Sequence, residues 1–217
     1  MSECPRLVFS PNEMRYLNDV RHREVCVLGS GDNEAVFALS GMGAFVTSVD
    51  ISESQLETAR ERAEKLGLKI RFTRTDVTDL SGIDDSTYDL VYTGGHMSVW
   101  ISDIERYYWE AVRILKPGGH LLINDYHPVR RMWHESEGPE PRNRYFNHGP
   151  YTYTTEEGLP QYEFHWMVAD HINAAIHAGC TIDAVYEHGE GKPEEDYEKW
   201  VPDSLPHYLL IYGHKPL

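Results

Sequence analysis

The sequence predicts an α/β fold with a seven-stranded, mostly parallel sheet and helices on both faces. Short apolar runs alternate with helical patterns along most of the 217 residues, which is the arrangement that βαβ units produce. Two further runs close the chain with only a loop between them, so we expect this pair of strands to be antiparallel and to lie at one edge of the sheet, with the last strand antiparallel. An irregular or β-rich cap is expected after strand five, where the alternation stops.

Seven short runs supply the predicted strands. Most end at a glycine or an aspartate, and the apolar ones are typical of buried parallel strands. They are residues 25–28, 44–49, 69–75, 88–92, 121–123, 181–186 and 208–212.

Apolar residues at helical spacing separate these strands. Two of the helices start at a capping box, a serine followed three residues later by Gln or Glu, at Ser52 and at Ser102. Gly67 is expected to cap the carboxyl end of the first of these, and residues 116–119 (Lys-Pro-Gly-Gly) predict a tight turn. We expect the helices over residues 12–23, 32–40, 52–67, 102–115 and 168–179.

Composition narrows the classes of function. The formal net charge of −15 repels phosphate backbones, so we expect no nucleic-acid partner. No run approaches the roughly 20 apolar residues that span a bilayer, and the first 20 residues lack a signal-peptide pattern. Three separated cysteines, Cys4, Cys26 and Cys180, form neither a disulfide framework nor a zinc spacing. The expectation is a cytoplasmic protein without membrane contact or bound metal; its oligomeric state is left open.

A glycine bend is the first sign of a ligand site. Gly29-Ser30-Gly31 lies between the first strand and a helix, where glycines let the backbone approach a ligand closely. The third glycine of the dinucleotide fingerprint is replaced by Glu34, and Glu34 and Asp32 would repel a diphosphate at that helix start. The bend therefore favours a nucleoside ligand without a diphosphate; a plain strand–helix turn is the alternative.

Two aspartates follow the next two strands. Asp50 comes about 20 residues after the bend, where an acid can accept both ribose hydroxyls. Asp76 closes the third strand and could accept an adenine amino group, while the Val77 amide donates to a ring nitrogen. A helix cap and a turn aspartate are the alternative interpretations.

Together with these residues, a Leu-Lys-Pro-Gly-Gly string makes the chain resemble a known family. It is similar to the class I S-adenosylmethionine-dependent methyltransferases of the small-molecule methyltransferase-domain type, which have a Rossmann-like sheet. The resemblance covers residues 24–125 and implies one domain over residues 1–217. Within this domain, we expect residues 126–165 to form a substrate-cap insertion and residues 166–217 to form the closing helix and edge hairpin. The matching segments are residues 25–31, Asp50, 75–77, 88–91 and 113–119, with a weaker match at 178–180.

The resemblance implies S-adenosylmethionine as the cofactor. One position departs from the family pattern: Val27 replaces an acid that helps to bind the methionine ammonium group. We expect that contact to come from backbone carbonyl groups of Thr93 or Gly94. The cofactor-binding residues are therefore expected to be Gly29, Ser30, Gly31, Asp50, Ile51, Asp76, Val77, Thr93 and Gly94.

Candidate catalytic residues follow the fourth and fifth strands. Methyl transfer is an in-line displacement that needs a base only if the nucleophile carries a proton, and imidazole titrates near neutrality. His96 and His127 are the candidate general bases, with structural histidines as the alternative. In the cap, the arginines could bind an anionic group of a small-molecule substrate or be balanced by nearby glutamates. The candidate substrate-binding residues are Tyr126, Arg130, Arg131, Trp133 and Tyr151.

Two other functions stay open. A nicotinamide-dependent oxidoreductase would share the sheet, but the missing third glycine and the Lys-Pro-Gly-Gly turn argue against it. A non-catalytic module that binds S-adenosylmethionine is the other, because of Val27.

Overall fold

A seven-stranded sheet forms the centre of the protein. The computed structural model describes residues 5–134, 136–155, 158–189 and 200–217. The sheet has the order β3-β2-β1-β4-β5-β9-β8. Its strands are β1 (Glu24–Leu28), β2 (Phe45–Asp50), β3 (Ile70–Arg74), β4 (Tyr88–Gly94), β5 (Leu115–Tyr126), β8 (Thr181–His188) and β9 (Tyr208–His214).

Strand directions confirm the predicted fold class. β1 to β5 pair in parallel, whereas β9 is antiparallel both to β5 and to β8. The chain runs outward from β1 through β2 to β3, then returns to place β4 and β5 on the other side of β1. The carboxyl ends of β1 and β4 therefore border a crevice, which is where ligands bind in open α/β sheets.

Helices cover both faces of the sheet. In β1, Cys26 and Leu28 join one core cluster and Val25 and Val27 the other, as the two-residue period of a strand requires. Within the described residues, no helix combines the length and apolar character needed to cross a membrane. The helices are α1 (Pro11–Leu17), α2 (Glu34–Gly41), α3 (Glu53–Leu66), α4 (Ile104–Arg113) and α5 (Val168–His177).

Capping residues explain where two of these helices begin. The Ser52 hydroxyl accepts the Gln55 amide at the start of α3, as predicted. For α4 the predicted cap at Ser102 is wrong by one residue, because the carboxylate of Asp103 accepts the Arg106 amide at 2.9 Å. A charged oxygen is the stronger acceptor at a helix start.

Two other segments differ from the prediction. α1 ends at Leu17 rather than at residue 23, because the chain reverses through His22, whose φ is +64°, before it enters β1. The Lys-Pro-Gly-Gly segment is an irregularity within β5, since Tyr88 faces Leu115 while Leu90 faces His120.

The segment after β5 contains the predicted cap. Residues Pro128–Trp133 form a 3-10 turn, and β6 (Tyr151–Thr154) and β7 (Pro160–Glu163) form an antiparallel hairpin. The Phe164 amide, directly after β7, donates to the Val99 carbonyl at 2.8 Å. The hairpin is thus joined to the loop that follows β4.

We predict that Gly67→Ala lowers the free energy of unfolding by about 1 kcal/mol. Gly67 has φ +66° and open space at its Cβ position, so the cost comes from the left-handed backbone, about 1–2 kcal/mol for alanine. Urea denaturation measures it. The control is Gly82→Ala, since Gly82 also faces open space but has no positive φ; it should change stability by less than about 0.5 kcal/mol. Equal losses would refute the assignment of the cost to backbone strain.

Candidate active site

A cavity of about 740 Å³ lies at the carboxyl ends of the strands around β1 and β4. Eight of the nine residues predicted to bind the cofactor line it: Gly29, Ser30, Gly31, Asp50, Ile51, Asp76, Val77 and Gly94. The sheet therefore brings the glycine bend and both aspartates to one concave site. Had Asp50 or Asp76 lain elsewhere, the predicted adenosine site would not exist.

The glycine bend needs both of its glycines. Gly29 and Gly31 have φ of +59° and +48°, a region that other residues rarely adopt. A Cβ atom on Gly29 would also overlap the Met97 side chain. The Ser30 hydroxyl shares a 2.7 Å hydrogen bond with Ser48 in β2. The bend is therefore fixed both by its backbone and by its neighbours.

Asp50 joins this bend to the second strand. Its Oδ2 accepts the Gly31 amide at 2.7 Å, and its Oδ1 accepts the Ser52 amide at 2.8 Å. The cap of α3 is Ser52 rather than Asp50, so the helix-cap alternative does not describe this carboxylate. Because Asp50 also lines the cavity, and each carboxylate oxygen can accept a second hydrogen bond, ligand hydroxyls can share this carboxylate.

Asp76 is exposed at the rim of the cavity. Its Oδ1 accepts both the amide and the hydroxyl of Thr78 at 2.8 Å. These bonds are those of a turn aspartate, and they also hold the carboxylate in place beside Val77, which lines the same cavity.

Asp32 and Glu34, at the start of α2, repel a diphosphate less strongly than the sequence predicts. Arg62 from α3 donates to the Asp32 carboxylate at 3.2 Å and lies 3.9 Å from Glu34. The nearby cation screens their charge, so repulsion of a diphosphate is a weaker argument here. The cap of α2 is Asn33, which sequence reasoning missed; its Nδ2 donates to the Gly94 carbonyl at 3.1 Å.

Thr93 is placed differently from the other eight predicted residues. It is fully buried, does not line the described cavity, and its hydroxyl lies 2.7 Å from the Tyr107 hydroxyl. Val27 is enclosed in an apolar cluster. Of the two carbonyl sources that we expected to replace the missing acid, Gly94 has the better position.

Comparison with known proteins agrees with this geometry. Residues 25–119 match the family model of a methyltransferase domain, and the glycine bend and both aspartates lie in that span. Over this span, which includes all nine residues predicted to bind the cofactor, the chain is similar to a methyltransferase domain.

Individual relatives resemble this chain over different lengths. An uncharacterized methyltransferase, YbaJ of Bacillus subtilis, is 27% identical over 91% of this chain and 78% of its own length. A demethylmenaquinone methyltransferase of Leptospira interrogans is 33% identical, but over only 48% of this chain and 43% of its own length. An S-adenosylmethionine-dependent methyltransferase structure from Mesorhizobium loti superimposes with a TM-score of 0.70 at 21% identity, covering 94% of this chain and 96% of its own.

His96 is the candidate base that reaches the described cavity. It lines the cavity, and its ring stacks on Tyr126 at 4.8 Å. Its Nε2 is buried and has no hydrogen-bond partner among the described residues. Burial, together with the positive charge of Arg131, lowers the pKa of His96 to about 3. The imidazole is therefore neutral at pH 7, and the same surroundings disfavour its protonation.

His127 has a structural environment. It is buried and does not line the described cavity. Its Nδ1 accepts the Val129 amide at 3.1 Å, so the proton lies on Nε2, which is 2.8 Å from the Glu187 carboxylate. Both ring nitrogens are thus engaged in holding the turn after β5, which matches the structural alternative.

None of the five candidate substrate residues lines the described cavity. Tyr126 lies between the His96 ring and the guanidinium of Arg130, which is 3.8 Å from the Tyr126 ring centre. Trp133 donates to the Pro139 carbonyl at 2.9 Å, and the Tyr151 ring stacks on His165 at 4.1 Å. Arg131 is almost fully buried.

Sequence reasoning missed other lining residues. They come from the loop after β4, from the starts of α2 and α3 and from the segment after β3, where no side-chain type signals adenosine recognition. Their position at the carboxyl ends of strands is the one signal that could have found them. They are Asp32, Asn33, Gln55, Thr78, Met97, Trp100, Ile101 and Ser102.

We predict that Asp50→Asn weakens binding of S-adenosylhomocysteine at least tenfold. The variant loses the charge that holds the Gly31 amide, and hydrogen bonds to charged groups contribute about 1.5–3 kcal/mol. Isothermal titration calorimetry measures the affinity, with exposed Asp84→Asn as the control that keeps it. Unchanged affinity in Asp50→Asn would exclude the role assigned to this carboxylate.

Proposed function

We propose that this methyltransferase acts on a small-molecule acceptor in the cavity beside His96. One observation carries the proposal: a single cavity joins the glycine bend, Asp50 and Asp76 at one side to Gly94, Gly95 and His96 at the other. S-adenosylmethionine whose adenosine is bound by the two aspartates would direct its sulfonium group toward β4. The acceptor would then approach from the His96 side.

The chain's own residues position the reactants. S-adenosylmethionine supplies an electrophilic methyl group on a good leaving group, so orientation provides much of the rate. Asp50 and the bend fix the nucleoside end, and the loop after β4 forms the cavity wall opposite it. His96 takes the proton when the acceptor atom carries one.

A compact acceptor fits the surroundings. Directly after the cap hairpin, Phe164 is bonded to the loop after β4, and this loop lines the cavity. The charge of −15 disfavours a nucleic-acid acceptor. A relative that matches 48% of the chain is named a demethylmenaquinone methyltransferase, after a small molecule.

The first test is cofactor binding without substrate. We expect S-adenosylmethionine and S-adenosylhomocysteine to bind with affinities on the order of micromolar in calorimetry, and NAD to give no heat of binding. Preference for NAD would favour the oxidoreductase. Binding without turnover on a panel of small metabolites would favour the non-catalytic module.

The second test is the pH dependence that His96 confers. Protonated imidazole cannot accept a proton, and the pKa of about 3 keeps His96 neutral across pH 5–8. The ratio of kcat/KM between the wild type and His96→Gln should therefore stay constant over that range. If the imidazole had an ordinary pKa near 6.5, this ratio would fall about 30-fold by pH 5, because only about 3% of the rings would be neutral. A ratio near one at every pH would exclude His96 as the base.

A further inference from the structure

A group of buried polar side chains lies beside the methyl-transfer cavity. We call Arg131, His134, Glu163 and His165 the Arg131 cluster. Glu163 Oε2 lies 3.6 Å from Arg131 Nη1 and 3.5 Å from Nε2 of each histidine. Arg131 is 3% exposed and Glu163 is 2% exposed.

One edge of the Arg131 guanidinium makes no hydrogen bond to the described residues. Nη1 lies 3.4 Å from His134 Nδ1 and near Glu163. Within the part of the chain that the structure describes, neither Nε nor Nη2 has a hydrogen-bond partner, although both are buried. Buried charged donors without partners are costly. Nε and Nη2 lie side by side on one edge, where their two N–H groups match the two oxygens of a carboxylate.

The Arg131 cluster adjoins the site of methyl transfer. Arg131 belongs to the turn directly after β5, and Glu163 ends β7 one residue before the bond from Phe164 to Val99. Val99 belongs to the same loop as His96 and Met97, which line the cavity. The charges of Arg131 and Glu163 both act on the pKa of His96, in opposite directions.

The histidines of the cluster are neutral at pH 7. Burial lowers the pKa of His134 to about 4 and also lowers that of His165. Burial alone would raise the pKa of Glu163, but the neighbouring His165 and Arg131 outweigh it, so that pKa is lowered. The charges of the cluster are therefore the Arg131 cation and the Glu163 anion.

We propose that the methyl acceptor carries a carboxylate and that the Nε–Nη2 edge of Arg131 binds it. This inference rests on the proposed function and names the acceptor class for it. Glu163 favours a carboxylate over a phosphate, because its negative charge repels a doubly charged group more strongly. Since the Arg131 cluster is buried, the acceptor reaches this edge only after the residues that cover it move.

The test compares acids with their amides on the wild-type protein saturated with S-adenosylhomocysteine. Acetate against acetamide and benzoate against benzamide differ in the group that would meet Arg131 while keeping the rest of the probe. We expect at least one acid to bind tenfold or more tightly than its amide in calorimetry. No preference in either pair, with S-adenosylhomocysteine bound, would overturn the inference and leave the proposed function standing. Failure of S-adenosylhomocysteine to bind would instead refute the proposed function.

Variants locate the carboxylate site. Arg131→Lys keeps the charge but loses the two-donor edge, so acid binding should fall at least tenfold while S-adenosylhomocysteine binding stays. Arg144→Lys, an exposed arginine of the same segment, should change neither. Glu163→Gln should strengthen acid binding by removing the repelling charge, which tests the site even if the Arg131 variant does not fold. Acid binding unchanged in Arg131→Lys, or in Glu163→Gln, would overturn the assignment, and ordered water on the Arg131 edge would be the remaining explanation.

Discussion

The site depends on the hydrogen bond between the Asp50 carboxylate and the Gly31 amide. Parallel pairing of β1 with β2 places Leu28 opposite Val49, so the residues that follow the two strands meet. The 2.7 Å bond then fixes the bend to β2, and the bond from Ser52 to the same carboxylate fixes the start of α3. One side chain thereby sets the distance between the wall of the cavity at β1 and the wall at β2.

The half of the cavity that contains the glycine bend and both aspartates was predictable because its signals are local. Gly29, Asp50 and Asp76 each follow a strand that a short run identifies, and parallel strands bring their carboxyl ends to one edge of the sheet. The cap of α3 at Ser52 was predictable for the same reason. Where two neighbouring residues could both cap, as at Ser102 and Asp103, the pattern gave the helix but not the correct residue.

The remaining features depend on contacts between distant parts of the chain. The bond from Asn33 to Gly94 spans 61 residues, and the pairing of Arg62 with Asp32 spans 30. His96 and His127 looked equivalent in sequence, since each follows a strand. Their hydrogen bonds distinguish them. The His96 ring faces the cavity, and its Nε2 has no partner among the described residues, whereas the His127 ring is bonded at both nitrogens.

The position of β9 has a consequence for how the chain acquires its structure during synthesis. β9 lies between β5 and β8, and it supplies residues 208–214 as partners for residues 120–126. Until the ribosome has released that late segment, β5 has an unpaired edge of backbone amide and carbonyl groups. Such edges recruit other chains. The nascent protein is therefore most exposed to aggregation just before its final strand emerges.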